Sequence, residues 1–175
     1  PNFRGSAGYG REFLLAARME LGGGYYQACL NASSDRIAAN GQQDLPTFMT
    51  GTSYGGYLTA WAVGHTNRFS AAVAVNAVTN NESFYALTHI PGWVRWEFGG
   101  RPLTQRRLIH ERSPVLYINK ATTPTLVVHS AEDRRVPIAQ VIELHAALRD
   151  SGVATSCIRY PLEYNRIVEP AHRMD

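Results

Sequence analysis

The sequence predicts an α/β fold: a parallel sheet with helices on both faces. Three observations carry this. Short apolar, β-branched runs recur at PTFMTG (46–51), AAVAVN (71–76), PTLVVHS (124–130) and TSCIRY (155–160). Segments with helical spacing stand between them. The runs are continuous rather than alternating, as in strands covered on both sides.

Each element follows from local chemistry. PNFRGSAGYG (1–10) reads as a Gly-rich loop. Apolar residues at 13, 14, 17 and 21 predict a helix over 11–21, broken by Gly22, Gly23 and Gly24. A second helix is expected over 25–40, although Ser33, Ser34 and Arg36 interrupt its apolar face. A buried strand over 46–51 leads into a helix over 54–66, and a second strand spans 71–76. Residues 77–120 read as a long irregular excursion with the aromatic cluster Phe84, Tyr85, Trp93, Trp96 and Phe98. The strand at 124–130 precedes a helix over 137–150, closed by Ser151-Gly152. The strand at 155–160 comes last.

At 175 residues the chain suits one domain. A 45% hydrophobic, 18% charged composition is globular. The net charge of +3 comes from scattered arginines, with no basic run to suit a nucleic acid. No stretch of about 18 apolar residues would span a membrane. Cys29 and Cys157 lack metal-site spacing and read as small buried hydrophobes, so no metal or cofactor is implied. A cytoplasmic setting is expected, and self-association is compatible with the sequence.

The strongest motif is Gly51-Thr52-Ser53-Tyr54-Gly55, a G-x-S-x-G between a predicted strand and helix. A nucleophile on so sharp a turn needs small residues two positions to either side. Ser53 would stand at a helix N-terminus, where N–H groups and the dipole favour developing negative charge. The Tyr54 N–H is the candidate oxyanion donor. An acid should follow a later strand, and Asp133 fits, with Glu132 as its local rival. A histidine should follow the last strand, yet Tyr160-Pro161-Leu162-Glu163-Tyr164-Asn165 holds none, and His172 is the sole later histidine.

The motifs NFRGSAGYG, TGTSYGGYLTAW, RFSAAVAVNAV, IPGWVRWEFGG, TPTLVVHSAEDRRVPI and RYPLE resemble the prolyl oligopeptidase family of serine peptidases, closest to its acylaminoacyl-peptidase and dipeptidyl-peptidase-like branches. The resemblance implies an α/β-hydrolase fold, with residues 1–175 a partial catalytic domain lacking the family's β-propeller. It also implies sheet strands before Pro1 and a final helix after Asp175. It makes Ser53 the nucleophile and Asp133 the acid, puts Asn165 at the family's histidine position, and matches Arg135 to an arginine that contacts a substrate carbonyl. The aromatic cluster, Trp93 and Trp96 included, falls where the family builds its specificity pocket. Core packing is the alternative for either tryptophan.

An amide does not accept a proton near neutral pH, so Asn165 cannot act as a general base. The expectation is a hydrolase of acylated or short peptides working through a Ser53 acyl-enzyme, crippled in this chain. The alternatives are a pseudoenzyme that binds peptides without turnover, and a general esterase.

Overall fold

The computed structural model describes residues 2–174. Four strands, β1 (Phe48–Thr52), β2 (Ala71–Val75), β3 (Thr125–Ser130) and β4 (Thr155–Tyr160), form one parallel sheet in the order β1-β2-β3-β4. Before them come α1 (Arg11–Leu15) and α2 (Gly24–Ala39). Helix α3 (Tyr54–His65) links β1 to β2, and α7 (Ala139–Asp150) links β3 to β4. Between β2 and β3 lie α4 (Asn81–Leu87), α5 (Pro91–Glu97), α6 (Arg106–Glu111) and a 3-10 helix at Pro114–Lys120. Helix α8 (Pro170–Met174) follows β4.

One face of the sheet carries the packing. Ala72, Ala74 and Val127 bury against Ala60 and Val63 of α3, Val141, Leu144 and Leu148 of α7, and Ile118 of the 3-10 helix. The small alanines of β2 let α3 lie close. That helix is apolar nearly all round, which suits its burial from Gly56 to Gly64, Leu58 excepted. Each buried leucine here contributes roughly 1.5–3 kcal/mol. A second cluster of Tyr25, Tyr57, Trp61, Phe84, Val94 and Phe98 joins α2, α3, α4 and α5.

The opposite face follows from strand alternation: Thr50, Val73, Leu126 and Ser156 share it by register. These residues are half-buried or exposed. Helix α8 reaches this face at its C-terminal end, where His172 stacks on Tyr160 at 4.6 Å. Helices thus stand on both faces as expected: α3 and α7 on the first, α8 on the second. β1 is an edge of the four-stranded sheet, with Phe48 67% exposed.

Two expectations change. The predicted helix over 11–21 stops at Leu15, and the chain then turns through Met19 at φ 64 to donate its N–H to the Glu97 carbonyl. The excursion over 77–120 is largely helical rather than irregular. Its helices are set by local devices: the Asn80 side chain caps the Glu82 N–H, and Pro91 and Pro114 open their helices. α2 forms as expected, buried only at Tyr25 and Tyr26. Cys29 and Cys157 are unpaired and half-buried, and burial raises both thiol pKa values. Among the described residues no helix is long and apolar enough to cross a membrane.

Candidate active site

Ser53 caps α3 at φ 58, ψ −112. A serine held there costs about 1–3 kcal/mol, a cost borne by the surrounding structure. Two hydrogen bonds fix the turn: Ser53 N–H donates to the Val75 carbonyl (2.9 Å), and Tyr57 N–H to the Ser53 carbonyl (2.9 Å). The glycines act unequally. A Cβ on Gly51 would lie 2.3 Å from the Gly55 oxygen, and one on Gly56 would lie 2.5 Å from the Val75 oxygen. A Cβ on Gly55 would meet nothing within 4 Å. The expectation that both positions flanking the serine must be small thus holds for Gly51, while Gly56 supplies the second close approach.

Asp133 lies in the turn after β3 and is buried. Its Oδ1 accepts the N–H groups of Arg135 (2.8 Å) and Val136 (2.9 Å). Its Oδ2 accepts Nδ2 of Asn165 at 2.8 Å. Glu132 is exposed, and its backbone N–H donates to the Glu163 carbonyl (3.0 Å). Of the two rival acids, Asp133 is the one joined to Asn165.

The loop carrying Asn165 is held from both sides. Asn76 at the end of β2 donates Nδ2 to the Asn165 carbonyl and to Ser130 Oγ, both at 3.1 Å. Its Oδ1 accepts the Ser130 N–H (2.8 Å). Sequence reasoning missed this fully buried residue; the signal was a lone amide closing the apolar run AAVAV. On the other side, the buried Glu163 carboxylate accepts the N–H groups of Val168 (3.0 Å) and Glu169 (2.9 Å) and meets His172 Nδ1 at 3.0 Å. His172 is thus engaged by Glu163 rather than Asp133. Burial alone would raise the Glu163 pKa, but the Val168, His172 and Glu169 hydrogen bonds outweigh it and hold the carboxyl below its ordinary range. A depressed carboxylate stabilises above its unfolded pKa and loses that contribution as pH falls through the folded value. Glu163→Gln is expected to speed amide exchange at Val168 and Glu169 roughly tenfold near neutrality, with the difference from wild type vanishing in acid. Hydrogen-exchange NMR reads both.

Ser53 and Tyr54 open onto a cavity of about 570 Å³. Val78, Phe84, Ile90 and Trp93 line it, and Trp93 meets Phe84 edge-on at 6.1 Å. Trp96 lines it as well and is 47% exposed, with the Arg18 guanidinium 5.4 Å over its ring. Both tryptophans therefore contribute to the cavity wall, and Trp93 also packs within the aromatic core. A neighbouring cavity of about 720 Å³ is lined by Asp133, Asn165, His89 and Tyr164. Arg135, itself exposed, lines both.

The sequence model of the prolyl oligopeptidase family, Peptidase_S9, matches residues 1–175. The chain belongs to that family. It is 35% identical to the uncharacterized peptidase YuxL of Bacillus subtilis over 173 residues, which are 98% of this chain and 26% of the relative. It is 30% identical to the acylamino-acid-releasing enzyme of Arabidopsis thaliana, covering 97% of this chain and 23% of the relative. A solved acylaminoacyl peptidase in complex with Z-Gly-Gly-Phe-chloromethyl ketone superposes with a TM-score of 0.92 at 30% identity, over 99% of this chain and 29% of that one. The chain thus spans about a quarter of the length of these relatives. Its sheet and helices are part of an α/β-hydrolase fold, and members of this peptidase family are serine hydrolases.

In this prolyl oligopeptidase-family chain one cavity residue escaped sequence reasoning. Glu97 closes α5 inside the aromatic run GWVRWEF, is 7% exposed and lines the Ser53 cavity. Burial pushes its carboxyl up to about 7, with the Met19 N–H and Arg18 offsetting only part. The native state therefore holds a proton that the unfolded chain releases, so stability falls as pH rises through this window. Glu97→Gln removes that fall. The variant is expected to gain about 2 kcal/mol over wild type between pH 5 and 8, allowing for screening at the cavity mouth. Urea denaturation at the two pH values checks it.

Proposed function

We propose that this chain is the nucleophile-bearing part of a serine peptidase acting on acylated or short peptides, with its general base replaced. Ser53 Oγ attacks the substrate carbonyl carbon, and the Tyr54 N–H at the start of α3 stabilises the oxyanion. Asp133 is the acid of the triad, Arg135 binds a substrate carbonyl, and the cavity walled by Trp93 and Trp96 receives an apolar side chain. Elements of the whole protein outside this quarter-length segment complete the site.

The observation that carries this reading is the 2.8 Å bond from Asn165 Nδ2 to Asp133 Oδ2. A triad histidine would direct Nδ1–H to the same acid. Asparagine supplies an equivalent donor but leaves an amide oxygen where a basic ring nitrogen is needed. The hydrogen-bond frame is kept and the proton acceptor is lost.

The same bond favours a second reading, capture of peptides without turnover. A fluorophosphonate, which phosphonylates activated serines, separates the two. Asn165→His is expected to be labelled at Ser53, with labelling abolished in Asn165→His/Ser53→Ala, as read by peptide mass spectrometry. If a folded Asn165→His variant takes no label, or takes it elsewhere, the peptidase reading fails and binding without turnover stands.

A further inference from the structure

The Ser53 cavity is mostly apolar, and one buried carboxyl lines it. Glu97 is more than nine-tenths buried and lines the cavity. None of the ion pairs among the described residues includes it. A buried acid without a cation costs several kcal/mol relative to an apolar residue of similar size, so packing alone gives no reason for it. The arginines that line the same cavity, Arg4, Arg18 and Arg135, are all exposed. Arg18 acts on the Glu97 carboxyl electrostatically but makes no ion pair with it: its Nε donates to the Trp96 carbonyl (2.7 Å) and its guanidinium lies over the Trp96 ring.

We infer that Glu97 is a specificity-determining residue, and that the cavity takes a side chain with an apolar stem ending in a cation, as in lysine. The methylene stem would lie along Phe84 and Trp93, and the ammonium would pair with the carboxylate at the end. This deepens the reading of Ser53 as the reacting centre and rests on it.

Glu97 is also faced by other groups. Arg18 follows α1, Tyr25 comes from α2 and Tyr57 from α3, and Arg112, which follows α6, acts on both tyrosines. Burial pushes the tyrosine hydroxyls up, so both stay neutral across the working range. Guanidinium groups do not titrate in proteins. Between pH 5.5 and 8.5 Glu97 is therefore the group in this set that changes charge, and a lysine ammonium stays protonated throughout.

The test uses binding and needs no turnover. Quenching of tryptophan fluorescence would report the Kd of Z-Gly-Gly-Lys amide and of Z-Gly-Gly-norleucine amide at both pH values. The preference for lysine over norleucine is expected to grow roughly tenfold from pH 5.5 to 8.5 in wild type and to stay flat in Glu97→Gln. A flat preference in wild type overturns the inference, as does growth that persists in Glu97→Gln, or failure of both peptides to bind. The wild-type series decides even if the variant does not fold. Failure of fluorophosphonate labelling at Ser53 would strike the peptidase reading and leave these binding results standing.

Discussion

Asn165→His is expected to raise hydrolysis of an acyl-alanine p-nitroanilide by about 10³- to 10⁶-fold in the protein that carries this chain. Loss of the histidine alone in a comparable triad costs about 10⁶ in turnover, while roughly 10³-fold catalysis over water survives. The geometry favours a large return, because Asp133 already accepts a bond from position 165 and Arg135 and Val136 already fix its other oxygen. The gain should fall on kcat with KM nearly unchanged, since the cavity walls are untouched. The restored activity should also rise with pH through a value near about 6.5, the signature of an imidazole that must lose its proton. Adding Ser53→Ala should return the rate to background. Equal rates for the wild type and the Asn165→His variant would mean that position 165 is not the base.

Gly51→Ala is expected to cost more than about 4 kcal/mol or prevent folding, while Gly55→Ala is expected to be neutral or stabilising by up to about 1 kcal/mol. The contrast is sharp because both glycines belong to one G-x-S-x-G motif. At Gly51 the new methyl would strike the Gly55 backbone, with the carbonyl oxygen at 2.3 Å, the carbonyl carbon at 2.4 Å and Cα at 2.8 Å. Backbone on both sides of a tight turn has no rotamer by which to yield. At Gly55 the methyl would meet nothing within 4 Å and would replace a flexible residue within α3. Thermal denaturation of the two variants beside wild type measures this. Comparable destabilisation by both would show that the glycine at 55 is needed for backbone conformation rather than for space.

Much of the frame is legible in the sequence, for physical reasons. β2, β3 and β4 are written as runs such as AAVAV and TLVV, and the order strand–helix–strand leaves a parallel sheet as the economical solution. The excursion is not legible. Helices α4, α5 and α6 have at most seven residues, about two turns or fewer, so no periodicity can develop. Ser53 and Asp133 stand out by residue type and position. The bond that joins Asp133 to Asn165 does not, since it spans 32 residues and depends on where the last loop folds back. Asn76 and Glu97 are the opposite case. Each is a polar residue whose meaning lies in its burial; the apolar run AAVAV hints at it for Asn76, while Glu97 in WVRWEF carries no such hint.

The anchoring of the last loop also bears on how this chain can change over generations. Asn76 grips the main chain of residue 165, and Glu163 grips the amides of 168 and 169. Neither hold depends on the side chain at 165. The loop can therefore keep its shape while that one side chain is exchanged. Asparagine and histidine codons differ by a single base, so the two side chains at this position are one nucleotide apart. A lineage could pass between them without crossing any unfolded intermediate sequence.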